Sequence, residues 1–565
     1  MDTREREQLE HSLAYWDSWY DSERQMVREV LHSPGYHTRI PDGELVCSTR
    51  TNLNYAVQLL AAGGPDREAR AAAVIAQVLA LQDRDPTRVT YGIWPWFAEE
   101  PLEKMAPPDW NWADFCGAAV GHALVEHAAQ LPAVLLDAMR QALGHAGWSI
   151  FRRNVGPGYT NIAIMGSGIS ALAGETLGEP RLLDYGRTRL RRFRDYTAAQ
   201  GGFNEYNSPT YTIVALNELE RILQLVHDPQ MRSDAEELRQ MTWKFIATQF
   251  HPATQQWAGP HSRTYAEWID SDGVDYLSAA VGRTIALHPR ADQSHELQLI
   301  HPLPCPLELR ERFERLPAAE VSTRQVFVRR PDGSVLVEGT TWMDGEACLG
   351  SASRGLLWTQ RRPLLAYWRT PQDPAVVLRV RFLKDGRDFA SAFLQARQEG
   401  RRVLFSVRFV ENYGDFHPTL DLLVGGAFEA ADLRVRCELT GAGARVDRVA
   451  QGCFALSAGS YRAVLRPLAG QFEDRPIDWI TTQNEDQAWV EAVCWAGERR
   501  AFNIRTCGRA LLAAGLELLR AREAPAREPV LVQTRAEAFR IAWDAPGQDL
   551  HLDGELQAEN TMIDW

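Results

Sequence analysis

The sequence predicts an α+β multidomain protein, a helical toroid over residues 1–310 followed by a β-sandwich over residues 311–565. Three observations lead to this. The chain has 565 residues, more than one hydrophobic core usually supports, so two large domains are expected. Its first half carries apolar residues at helical spacing, whereas the second half reads as short strand-like runs broken by turn residues. Polar helix-start signals also recur at near-constant intervals through the first half.

The helical half is clearest in residues 67–82, 131–147 and 232–250, which are rich in Ala, Leu, Glu and Arg and poor in β-branched runs. Helix starts are expected at Thr51-Asn52, Asp109-Trp110-Asn111, Thr160-Asn161, Ser208-Pro209-Thr210-Tyr211 and Asp272. Second helices are expected near Asp66, Pro132, Pro180 and Arg232. Asn161 follows Asn111 by 50 positions, and Ser208 follows Asn161 by 47. That interval fits an out-and-back hairpin repeated around a closed ring, although an irregular helical domain shares the same periodicity. In a ring, the inner helices open their N-termini on one face, where unpaired N–H groups suit carboxylates. The texture changes after the Pro-rich stretch 301–317, and residues 321–342 place strand-like runs around a Pro-Asp-Gly turn.

Composition excludes some classes. The chain is 45% hydrophobic and 24% charged, with a net charge of −13, which leaves no basic excess to displace nucleic-acid counterions. An anionic sugar remains compatible, because a local Arg cluster reverses the field in one cleft. Arg152, Arg153, Arg354, Arg361 and Arg362 are candidates for such steering, with solvated surface charge as the bland alternative. The first residues are charged throughout and no apolar run is long enough to span a bilayer, so no membrane partner and a cytoplasmic location are expected. Eight cysteines are scattered without a CxxC pair, which fits reduced thiols and gives no metal-type spacing. No cofactor is expected, and homo-oligomerisation is left open.

Chemistry concentrates in residues 154–211. Gly156-Pro157-Gly158 leads tightly into a helix that Thr160 is expected to cap, with Asn161 in its first turn. Gly166 and Gly168 allow neighbouring backbones to approach. Further on, Ser208 is a good N-cap with Pro209 at the first helical position, so Tyr211 falls in the first turn and Glu205, Tyr206 and Asn207 lie just before it. Residues 259–276 place His261, Arg263 and Tyr265 in a polar loop before the next inner helix. Residues 90–115 bring Trp94, Trp96, Trp110 and Trp112 ahead of Asn111, either as a platform for sugar faces or as packing of a long loop. Segments 349–369 and 411–421 of the second domain are weaker candidates for cleft walls.

The order of parts and the 202–211 string resemble the heparinase II/III-like and alginate-lyase-like polysaccharide lyases. Those typically carry an Asn, often followed by His, at one inner helix, then G-x-x-x-E-x-S-x-x-Y ending in a catalytic Tyr. Asn161 matches the first element, and the string from Gly202 to Tyr211, which includes Glu205, Tyr206 and Asn207, fits the second closely, with Ser208 and Tyr211 in register. This sequence departs at Ile162, where many relatives have His. The resemblance implies an incomplete (α/α) toroid, an antiparallel sandwich and β-elimination on an acidic oligosaccharide or polysaccharide. It further implies catalytic roles for Tyr211, Asn161, His261 and Arg263. The C5 proton of a uronate becomes removable only when its carboxylate is neutralised, a task for Asn161 with His261 or Arg263. Tyr211 then acts as base, acid or both, given a pKa lowered by nearby positive charge. Glu205, Tyr206, Asn207, Tyr265, Asn111, Trp94, Trp96 and Trp110 are the expected substrate contacts. Two alternatives stand beside this reading. One is a glycoside hydrolase using Glu205 with Asp270 or Asp272. The other is a non-catalytic glycan-binding protein.

Overall fold

The computed structural model describes residues 3–555 except 33–36, 294–298, 411–422, 424, 450–451, 474, 507–509, 526–529, 535–537 and 546–547. The candidate wall segment 411–421 therefore lies outside the described residues, as does Cys507. The other seven cysteines are free thiols, five of them buried.

The helical part runs α1 (Thr3–Asp17), α2 (Thr49–Ala62), α3 (Pro65–Leu79), α4 (Trp112–Glu126), α5 (Ala133–Arg153), α6 (Thr160–Leu177), α7 (Pro180–Gln200), α8 (Pro209–Leu225), α9 (Pro229–Gln249), α10 (Ser271–Val281) and α11 (Leu307–Arg310). Each predicted start falls at or within a few residues of a helix. The starts have local causes. Ser48, Ser208, Asp228 and Asp270 accept first-turn N–H groups, and Pro opens α3, α7, α8 and α9, where its missing N–H is no loss. α6 differs from expectation: Tyr159 precedes it without a side-chain cap, and Thr160 is already its first helical residue.

Even-numbered helices α2 to α10 form the inner layer, each packed on the next, and odd-numbered helices back them outside. Residues from all five inner helices line one cavity of about 190 Å³. α6 is buried from Thr160 through Gly174, and its glycines make room for neighbours. A Cβ at Gly166 would lie 2.6 Å from both Asp114 Oδ1 and Arg189 Nη1, so the absent side chain leaves room for these two buried groups in the core.

Beside a smaller three-stranded sheet near the end of the described residues, two large antiparallel sheets follow. One has the strand order 478–483, 487–503, 427–440, 376–384, 364–368, 347–352, 335–344 and 320–329. The other runs 354–356, 392–399, 402–409, 510–520, 461–472, 454–458 and 445–448. Inward residues of both, among them Trp342, Leu364, Trp368, Leu394, Phe405 and Leu516, form one core between them, the packing of a β-sandwich. The fold class is thus a helical toroid followed by an antiparallel β-sandwich.

The outer face of the first sheet is covered by the chain between α9 and α10. His261 and Arg362 exchange backbone hydrogen bonds of 2.9 and 3.0 Å, and Thr341 Oγ1 donates to Gly259 O at 2.7 Å. Tyr206 stacks on Phe327 with ring centroids 4.0 Å apart. The approach is so close that a Cβ on Gly350 would stand 1.8 Å from Gly259 O. These contacts fix the loop that carries Arg263.

Candidate active site

The site is built on the first turn of α8. Ser208 Oγ accepts the Tyr211 N–H at 2.9 Å and donates to Arg263 O at 2.6 Å, so one hydroxyl caps the helix and ties it to the loop. Asn207 holds a left-handed backbone conformation (φ 45°). Its Nδ2 donates to Ala258 O (2.8 Å) and Pro260 O (2.7 Å), and its Oδ1 accepts from Trp257 Nε1 at 2.5 Å. Asn207 therefore latches the loop to the helix start, with both ends of its amide engaged by protein.

Arg263 is the centre of the cluster. Its Nη2 donates to Tyr211 Oη at 3.2 Å, its Nε donates to Gln360 Oε1 at 3.0 Å, and its Nη1 lies 3.6 Å from Glu205 Oε1. The guanidinium carbon lies 4.8 Å from the Tyr211 ring centroid and 5.2 Å from that of Trp358. Tyr265 is exposed at the rim, and its hydroxyl is hydrogen-bonded to that of Tyr211. Gln360 and Trp358 come from the sandwich, so both halves of the chain complete this site. Both lie in segment 349–369, one of the two stretches of the second domain expected as cleft walls, although neither was singled out there by number.

Burial sets the electrostatics. It pushes the Glu205 carboxyl above its ordinary range, opposed by Arg263 and by the first backbone amides of α6. Burial also raises the Tyr211 phenol well above its ordinary value, with Arg263 opposing and Tyr265 adding to the rise. The lowered phenol pKa expected from the sequence is thus corrected: desolvation outweighs the guanidinium, and Tyr211 is protonated at neutral pH. His261 is likewise buried, which lowers its pKa to about 3 and leaves it neutral. Its Nε2–H donates to Trp257 O at 2.9 Å, while Nδ1 has no partner. His261 therefore carries no positive charge to a ligand.

Asn161 is in the first turn of α6, buried, and its Oδ1 has no hydrogen-bond partner. Asn111 Nδ2 donates to Tyr159 Oη at 3.1 Å, and Arg153 Nη1 donates to Asn111 Oδ1 at 2.5 Å. Tyr159 was passed over in the sequence, although it stands inside the Gly-Pro-Gly-Tyr-Thr-Asn string. Trp94 is fully buried and donates to Val78 O at 3.0 Å, so it is core and presents no face to a sugar. Trp96 and Trp110 are partly exposed. Trp96 stacks on Trp112 and donates to Asp109, and Trp110 donates to Val89 O. Tyr206 is a domain-contact residue through Phe327. Arg362 is buried and paired with Glu267 at 2.8 Å, which removes it from any steering patch. Asp270 accepts the Gly273 N–H as the cap of α10, and with Asp272 it lines the ring cavity, whereas Glu205 is held by Arg263.

Among the described residues no cluster of three or more His, Cys, Asp or Glu could hold a metal, and no helix is long and apolar enough to cross a membrane.

A family model described as Domain of unknown function (DUF8769) matches residues 6–287. No curated protein matches the chain. Among solved structures, the chain is similar to heparinase III at 9% identity and TM-score 0.42, covering 98% of this chain and 91% of that one. It is also similar to the Streptomyces coelicolor A3 chondroitin AC lyase in complex with chondroitin sulphate, at 12% identity and TM-score 0.48, covering 99% and 86%. A heparan sulfate lyase HepC mutant from Pedobacter heparinus follows at 10% identity and TM-score 0.35, covering 90% and 82%. At such identities and scores, no residue role or substrate follows from them.

Proposed function

We propose that the chain is a polysaccharide or oligosaccharide lyase that cleaves a uronic-acid-containing glycan by β-elimination. The site lies where the proposed domains 1–310 and 311–565 meet. The observation that carries this reading is Arg263, held against the Tyr211 phenol at 3.2 Å beside the exposed Tyr265. A fixed cation next to a proton-bearing hydroxyl is what elimination beside a carboxylate requires.

In this reading Arg263 neutralises the substrate carboxylate, and Asn161, with its unmatched buried Oδ1, is completed by substrate. Tyr211 in its phenolate form takes the C5 proton, and the phenol so formed, the state that burial favours, delivers that proton to the departing 4-linked oxygen, so the residue ends as it began. Removal of the C5 proton by the same phenol needs its ionisation, which Arg263 favours and burial opposes. Glu205 holds Arg263, Asn207 holds the loop, and Tyr206 and His261 seat the site on the sandwich. Tyr265, Trp96 and Trp110 are the remaining aromatic candidates for sugar contact. The reading extends to oligosaccharides processed in the cytoplasm.

The test is a panel of 4-linked oligouronates (mannuronate, guluronate and glucuronate), followed by ultraviolet absorbance of the unsaturated product end and by mass spectrometry. Absorbing products from the wild type and none from Tyr211→Phe are expected. Products heavier by one water would instead favour a hydrolase. Silence across the panel, over a range of pH, would remove the lyase reading.

A further inference from the structure

A chain of side chains before α6 has no part in the roles above. Arg153, in the last turn of α5, donates to Asn111 Oδ1 at 2.5 Å, and Asn111 Nδ2 donates to Tyr159 Oη at 3.1 Å. Tyr159 immediately precedes α6, two positions before Asn161. Its neighbour Thr160 accepts the Glu205 N–H on Oγ1 at 3.4 Å, and Glu205 is paired with Arg263. Tyr159 thus belongs to the same mouth as Tyr211, reached through α6 instead of α8.

The direction of these bonds matters. The Tyr159 oxygen is used as an acceptor by Asn111, which leaves its O–H without an acceptor among the described residues. The side chain is only partly exposed, and burial raises the phenol to about 12, so it keeps its proton. An amide polarised by a guanidinium at one end makes the phenol at the other a stronger donor, because hydrogen bonds in series reinforce one another. The residue after Asn161, where the resembled lyases often have His, is Ile162, buried and without a polar atom to offer.

We propose that Tyr159, oriented by Asn111 and Arg153, donates its O–H to the uronate carboxylate of the substrate, taking the place left by Ile162 as a second donor beside Arg263. No proton changes hands in this contact. The bond strengthens as charge moves from C5 into the carboxylate in the enolate-like transition state, so its loss falls mainly on kcat. This inference rests on the lyase reading.

The test compares wild type, Tyr159→Phe and Asn111→Ser on an oligouronate that the wild type turns over and on its methyl ester. Tyr159→Phe is expected to lower kcat about 10- to 100-fold on the free acid, the range of one hydrogen bond to a charged group. On the ester the expected loss is below about 3-fold, since neutral acceptors bind more weakly. Asn111→Ser should show the same contrast at smaller size, and it leaves α6 untouched should Tyr159→Phe fold poorly. Equal losses on acid and ester would overturn the proposal in favour of a purely structural Tyr159, and no loss on either would also overturn it. A wild type that eliminates no oligouronate would remove the lyase reading itself and this inference with it. A wild type that is active alongside an undiminished Tyr159→Phe would remove only the inference.

Discussion

Helices α6 and α8 pack together and begin at the same mouth, yet their first turns are completed in opposite ways. α8 is closed by its own chain, with Ser208 accepting the Tyr211 N–H and Pro209 supplying no N–H at all. α6 has no side-chain cap, and the group that its first amides help to keep charged is Glu205, a residue from another segment that is also paired with Arg263. The helix start that looks most finished in sequence is the one dedicated to holding a side chain in place. The start that looks less finished has its field balanced across segments, by Glu205 and its partner Arg263. Helix ends of similar dipole therefore serve different ends according to who satisfies the N–H groups.

The sharpest way to break this comparison is at the tip of α8. Tyr211→Phe should reduce turnover roughly 10²- to 10⁴-fold, the range for losing a positioned proton-transfer group. Its far-ultraviolet circular dichroism should be unchanged, because the cap at Ser208 survives. An active Tyr211→Phe enzyme would show that α8 does not hold the reacting group.

The cross-segment pairing at α6 is next in size. Arg263→Ala leaves Glu205 buried without its cation, and urea denaturation should show a loss of about 3–5 kcal/mol. Adding Glu205→Gln should recover more than half of that loss, since the penalty is an unpaired charge and the amide carries none. If the double variant is no more stable than Arg263→Ala alone, the two residues are not coupled as described.

Behind α6, burial raises the Asp114 carboxyl to about 7 against the opposing charge of Arg189. An unfolded Asp titrates near 3.9, so between about pH 4 and 7 the native state holds a proton that the unfolded chain has released. Stability from this group is complete below about pH 4 and is lost as pH rises through about 7. Asp114→Asn should flatten that decline in denaturation curves measured from about pH 4 to 8. A slope unchanged in the variant would place the titration elsewhere. The smallest effect is expected from Ser208→Ala, about 1 kcal/mol for the lost cap. Turnover should fall with it, because the same hydroxyl ties Arg263 O to α8. Thermal melting and kinetics of one preparation check both.

Much of the helical half was legible because helix starts are local. Ser208-Pro209, Asp270 and Pro180 announce themselves through caps and fixed backbone angles that need no distant partner. The string around Tyr211 was legible for the same reason. Trp94 and Trp110 show where legibility ends: two tryptophans of one loop, one fully buried against Val78 O and the other partly exposed. Period and composition do not tell them apart, because which face of a loop turns inward is decided by what packs on it. His261 and Arg263 are two positions apart, yet the first is neutral and enclosed while the second is the charged centre of the cluster.

The residues from Gly202 to Tyr211 by themselves determined that a polar group of side chains would gather at a helix start, since capping and turn chemistry act over a few positions. Only the tertiary structure decided that Arg263, Gln360 and Trp358 meet Tyr211 from separate segments. It alone also decided that the phenol there is raised instead of lowered. Both outcomes depend on desolvation and on charges brought close through space, quantities that no spacing along the chain encodes.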